Sequence, residues 1–159
     1  MERTGFASPH PVSRTPAPVE WHPPLGDRVR SHTSRKALAR IDQETKLSLD
    51  RHARGSLLAM LRRLAALDRE WDLDRWLMVA FTGAAGTSAA LSLWQASRRG
   101  RPGPFTAVLA AQLFFLGLHA VRGWAPPVAI LRRLGIRTRQ EIEAERAALE
   151  LLLERRLAQ

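Results

Sequence analysis

The chain of 159 residues contains no cysteine, which excludes disulfides, thiolate metal sites and cysteine nucleophiles. Lysine is nearly as scarce: the formal charge of +10 rests on 23 Arg and only Lys36 and Lys46. The first 24 residues lack an apolar core and hold six prolines, so no secretory signal peptide is expected there. Charge itself is missing from two long runs, residues 76–97 and 102–121, separated only by Arg98, Arg99, Gly100 and Arg101. These runs are 22 and 20 residues long. At about 1.5 Å per helical residue each matches a hydrocarbon core of roughly 30 Å. The fold class expected is therefore an all-α membrane protein, a two-helix transmembrane hairpin with amphipathic cytoplasmic helices and a disordered N-terminal tail.

Four regions follow: a proline-rich disordered tail over 1–27, amphipathic helices over 28–75, the transmembrane hairpin over 76–123 and C-terminal helices over 124–159. In the tail, Pro9, Pro11, Pro16, Pro18, Pro23 and Pro24 oppose helix propagation, and Trp21 is the one large apolar residue with local docking potential. A helix from Thr33 or Ser34 to about Arg54 carries a thin stripe of Leu38, Ile41 and Leu49, which predicts a surface or partner-facing helix. Ser56 offers the next N-cap. Leu57, Met60, Leu61, Leu64, Leu67 and Trp71 then recur at helical spacing, fitting half of a soluble helical hairpin or a helix lying on the membrane surface. Asp68, Glu70, Asp72 and Asp74 stand two apart, so on a helix they diverge; Asp72 or Asp74 reads as an N-cap of the helix that follows. No catalytic, cofactor or metal site is expected, because no histidine or further ligand converges on these carboxylates.

The two apolar runs differ. In the first, 13 of 22 residues are Ala, Gly, Ser or Thr, and Thr82, Gly83, Gly86, Thr87 and Ala90 make overlapping small-xxx-small steps that let helix backbones approach closely in lipid. The second is bulkier, with Phe105, Val108, Leu109, Leu113, Phe114, Phe115, Leu116 and Leu118. Its polar side chains are Gln112, expected to bond across to the first helix or to another copy, and His119, expected to be wet or hydrogen-bonded between helices at the interface. Trp76, Trp94 and Trp124 sit at the ends of the runs, where an indole favours the headgroup boundary. Lys and Arg number four in residues 56–75, five in 122–141 and three in the connecting loop. The positive-inside rule then places both termini in the cytoplasm.

After Trp124, Pro126 and Pro127 restart a short helix closed by Gly135. Thr138-Arg139-Gln140-Glu141 forms a capping box opening a helix to about Leu157, with Ile142, Leu149, Leu152, Leu153 and Leu157 on its apolar side and glutamates and arginines covering the rest. The run Gly123-Trp124-Ala125-Pro126-Pro127, followed by Leu131-Arg132-Arg133-Leu134-Gly135-Ile136-Arg137-Thr138, Glu141-Ile142 and Glu145-Arg146, resembles the C-terminal signature of the bacterial YgaP-like inner-membrane domain of unknown function. His32-Thr33, Arg40-Ile41-Asp42 and Leu67-Asp68-Arg69-Glu70-Trp71-Asp72 are similar to its upstream part. The resemblance spans about residues 28–149 and implies a two-helix membrane domain, in some relatives an anchor for a rhodanese domain, which is not seen here. Relatives often carry Cys where this chain has Ala125, and no catalytic residue transfers.

The function expected is that of a small inner-membrane protein of structural, anchoring or adaptor type, not an enzyme, self-associating or binding a membrane partner through the small-residue face. Its partners would be a bilayer with anionic headgroups and a second copy or another membrane protein, with no nucleic acid. A soluble basic helical protein that binds nucleic acid is the alternative. The charge allows it, but no helix-turn-helix or zinc spacing is visible.

Overall fold

The computed structural model describes residues 20–158. Among them there is no strand, and seven helices follow in order: α1 (Arg28–Ser31), α2 (Arg35–Arg54), α3 (Leu57–Leu67), α4 (Leu73–Arg99), α5 (Pro104–Arg122), α6 (Pro126–Arg133) and α7 (Arg139–Leu157).

Local chemistry sets most boundaries. Asp27, Ser34, Ser56, Asp72 and Thr138 each accept a first-turn backbone N–H. Thr138 and Glu141 complete the expected capping box. Pro104 and Pro126 occupy the first turns of α5 and α6, where a missing N–H is harmless. Gly100 and Gly123 end α4 and α5 in left-handed conformation, at φ 64° and 69°. The helix ends therefore differ from the ends of the uncharged runs: α4 starts at Leu73, three residues before Trp76, because Asp72 is its cap.

The disordered tail expected over 1–27 lies largely outside the described residues. Its last part does not run free. Trp21 is half-buried and donates Nε1–H to Asp42 Oδ1 at 3.1 Å, and buried Asp27 both caps α1 and accepts the Thr138 hydroxyl at 2.6 Å. Docked chain thus precedes the boundary placed at residue 27.

α4 and α5 lie side by side in opposite directions. Ser92 meets Thr106 near the connection at 2.5 Å, and Asp74 meets His119 at the far end at 3.2 Å. At that far end, called the foot below, Leu73, Leu77, Phe81, Ala125 and Val128 form one core, flanked by Phe115, Leu116, Leu131 and Ile136. A second core joins the arms: Leu49 of α2, Leu67 of α3 and Ile142 and Leu149 of α7, with Trp21 and Leu64 beside them. The stripe of α2 has its partner in α7. α3 is divided, burying Met60 and Leu67 while Leu57, Leu58 and Leu61 face out. The segments before and after the apolar pair, each too short for a large core, thus share one.

Candidate functional site

Two features stand out, the outer surface of the α4/α5 pair and an ionic layer at its foot. α4 and α5 are long and apolar enough to cross a membrane, yet only 17% and 0% of their most apolar windows are buried in the protein. The buried line on α4 is Leu73, Leu77, Phe81, Ser88 and Gln95. Thr82, Gly83, Gly86, Thr87 and Ala90 are all exposed instead, and a methyl group added at Gly83 or Gly86 would meet nothing within 4 Å. The small-residue face is therefore not the contact between α4 and α5. Thr82 and Gly86, with Phe81, Leu109, Gln112 and Leu116, line an apolar groove of about 430 Å³. The Gln112 Oε1 is buried and has no hydrogen-bond partner, so the bond expected from it to the first helix is not made.

The tryptophans mark the two ends. Trp76 lies 5.0 Å from Trp71, over which Arg75 sits at 5.5 Å; Trp94 carries Arg98 at 4.8 Å. Trp124 follows Gly123, the cap of α5. His119, buried on α5, reaches Asp74 in the first turn of α4, an interhelical bond of the kind expected. Its Nδ1 is buried without a partner. Asp68, Glu70 and Asp72 of the acidic run border one cavity but serve separate partners: Asp68 pairs with Arg146, Glu70 with Arg137, and Asp72 caps α4. Among the described residues no group of three or more histidine or acidic side chains could hold a metal.

At the foot, Glu141 and Glu145 of α7 are 0% exposed. Arg132 grips Glu141 with two bonds of 2.7 Å, Arg30 adds a third, and the Thr138 N–H a fourth at 2.8 Å. Arg63 donates twice to Glu145, at 3.0 and 2.8 Å, joined by Ser48 at 2.8 Å and by Arg137. Arg30 also forks onto Asp42, and Arg137 onto Glu70. Four guanidinium groups thus face four carboxylates, which is what makes the burial tolerable. Burial pushes both glutamates up, but the arginine hydrogen bonds outweigh it and hold Glu141 and Glu145 below the ordinary carboxylate range. For Arg30 and Arg137 burial acts downward, and their carboxylate partners raise them further from neutrality.

This layer corrects the reading of α7. Glu145 does not belong to the outer cover of α7 but is fully buried against Arg63 and Arg137. The signal was in the spacing: Glu145 stands three residues after Ile142 and four before Leu149, inside the apolar stripe. Leu73 N–H donates to Arg137 O at 2.9 Å, so the layer is joined directly to the start of α4. In comparisons with known proteins, no family model, curated protein or solved structure matches the chain.

Proposed function

We propose that α4 and α5 form a transmembrane hairpin and that the protein is a small inner-membrane component of structural, anchoring or adaptor type. The carrying observation is the outward exposure of both apolar helices, of which only 17% and 0% of the most apolar windows are buried. In a soluble fold, helices of this composition supply the core; here Met78, Val79, Leu93, Val108, Leu113 and Phe114 lie on the surface, a patch that in water would drive aggregation. Tryptophan and arginine at both ends support the same reading. With both termini cytoplasmic, α1–α3, α6 and α7 form the internal face available to partners, and the likeness to the YgaP-like inner-membrane domain belongs to this proposal.

The outward small-residue face is the surface proposed for self-association or for a membrane partner, since it lets a second backbone approach. Washing membranes with alkaline carbonate tests insertion: the chain stays in the pellet, and its release would sink the proposal. Gly86→Leu tests the face. It fits the open space in the single chain, so it should weaken crosslinked oligomers without unfolding the monomer; unchanged oligomers would remove the face from the interface.

A further inference from the structure

Three cavities border the foot of the α4/α5 pair, and they differ in the carboxylates they carry. One is lined by Asp68, Glu70, Asp72 and Glu143 beside Arg75, Arg139 and Arg146, another by Asp27, Asp74 and Glu143 beside Arg28 and Arg139; in both, carboxylates compete with an anion for the arginines. The third, of about 300 Å³, has no carboxylate in its lining, which includes Ser31, His32, Ser34, Trp124, Arg132 and Arg133. We propose that this third cavity binds the phosphate of an anionic lipid headgroup. The inference rests on the membrane reading of α4 and α5.

The donors that could meet a phosphate are separate from those used by the fold. Arg132 is committed to Glu141, Thr33 and Ile136, so its charge is already answered. Arg133, one residue on, is exposed, and its guanidinium has no hydrogen bond or ion pair among the described residues; only its backbone carbonyl is engaged, by Arg40 at 2.6 Å. His32 donates Nδ1–H to Arg28 O at 2.9 Å, which makes Nε2 of the neutral ring an acceptor, so the imidazole lines the cavity without donating to a phosphate. Ser34 ends the lining as the N-cap of α2, a helix of 20 residues, whose first-turn N–H groups and positive dipole end favour an anion. A guanidinium, a hydroxyl and a helix start are thus gathered where no carboxylate competes.

Position selects the source of the phosphate. Trp124 follows the cap of α5 directly, so the cavity sits where a spanning α5 leaves the hydrocarbon and headgroups begin. An indole at that rim packs against the glycerol region while the phosphate sits further in. Free inorganic phosphate shares the same chemistry and would need the same donors.

The test uses the full chain in a mild maltoside detergent, given short-chain phosphatidylglycerol or phosphatidylcholine, with lipid retention read by native mass spectrometry. Arg133→Gln should lower the preference for phosphatidylglycerol about fivefold, the scale of one arginine at an anionic surface. Arg99→Gln, an equal charge loss at the opposite end of α4, should leave it unchanged. Equal losses in the two variants, or no preference in the parent chain, overturn the proposal. Unchanged thermal midpoints show that Arg133→Gln is folded, as its exposure leads one to expect. In a second arm without lipid, inorganic phosphate is titrated and its ³¹P line width followed; broadening abolished by Arg133→Gln would assign the cavity to free phosphate and overturn the headgroup source. Release of the chain by carbonate would sink the membrane reading and this inference with it. A carbonate-resistant chain with no lipid preference would sink this inference alone.

Discussion

Replacing Glu141 with alanine removes the acceptor from Arg132, which is 1% exposed, and leaves a guanidinium in the protein interior facing only Thr33 and the Ile136 carbonyl. Arg30 loses one of its two carboxylates and keeps Asp42. Breaking a buried pair from one side costs about 3–5 kcal/mol, and losing the Glu141 half of the capping box adds a further fraction of about 1 kcal/mol. Against a total stability on the order of 5–15 kcal/mol, a large part of the folded margin is at stake. The expected outcome is a large fall in the unfolding midpoint of the full chain in detergent, followed by tryptophan fluorescence. Glu143→Ala, which removes an exposed carboxylate from the same helix, should leave the midpoint in place. The pair Glu141→Leu with Arg132→Met should recover most of the loss, because an apolar pair carries no desolvation cost. pH supplies an independent arm. Glu141 and Glu145 are held below the ordinary range when folded, so the unfolded chain binds the extra protons. The stabilisation is complete above the unfolded value of about 4.3 and is lost as pH falls through the folded values. Glu141→Gln should flatten that acid limb. A Glu141→Ala chain within about 1 kcal/mol of the parent, with the acid limb intact, would refute the reasoning.

Three further substitutions probe separate joints, all read by the same unfolding measurement. Gly123→Ala forces a side chain into left-handed backbone at φ 69° and sets its Cβ 2.9 Å from the Arg28 Cβ; a loss of about 1–2 kcal/mol is expected, and a neutral effect would mean that α1 does not dock on the end of α5. Gly103→Ala would place a Cβ 1.8 Å from Oε1 at the flexible end of the Gln95 side chain, which must change rotamer at a cost of about 1 kcal/mol. Gln95→Ala in the same chain should remove that cost, and additivity of the two changes would refute the contact. Gln112→Leu removes a buried amide oxygen that has no partner and should stabilise the detergent-solubilised monomer by about 1 kcal/mol; destabilisation would reveal a partner for that amide within the single chain.

Much of the helix plan was legible because end signals are local. Ser34, Ser56, Asp72 and Thr138 act within a turn of themselves, and each opens a helix where the sequence predicts, give or take the choices between Thr33 and Ser34 and between Asp72 and Asp74; the left-handed caps Gly100 and Gly123 were not among the predicted ends. The length of α4 was less legible, since the uncharged run marks what hydrocarbon tolerates whereas the helix runs from cap to cap and takes in Asp74, Arg75, Arg98 and Arg99. Composition identified the small residues of α4 but not their direction. Knowing that they face outward requires knowing that Leu77, Phe81, Ser88 and Gln95 take the inner side, and these four are no more apolar as a group than their neighbours. The ionic layer was hardest to see because its parts are far apart in the chain: Arg30 and Glu141 are 111 residues apart, and Arg63 and Glu145 are 82. Helical periodicity reports which residues share a side, not which distant charges will answer one another.

That layer bears on how the arms and the apolar pair act together. A buried salt bridge adds little net stability over a packed apolar pair, but a wrong register leaves charges unanswered and is heavily penalised. Glu141 and Glu145, one turn apart on α7, receive arginines from α1, α3, α6 and the connection before α7. Sliding α7 by a turn would carry one glutamate into the other's place and strip the second of its partners. The register so fixed passes to the apolar pair through Leu73 N–H and Arg137 O, and Leu73 in turn lies in the core with Leu77, Phe81 and Val128. The arms therefore determine where α4 starts and how it is rotated. On the proposed insertion, that rotation decides which side of α4 meets α5 and which side carries Gly83 and Gly86 outward. A change in the ionic layer should consequently alter association through the small-residue face even though no charged residue touches it, and Glu145→Gln, which removes one charge while keeping the shape, is the substitution in which the two effects would first be seen together.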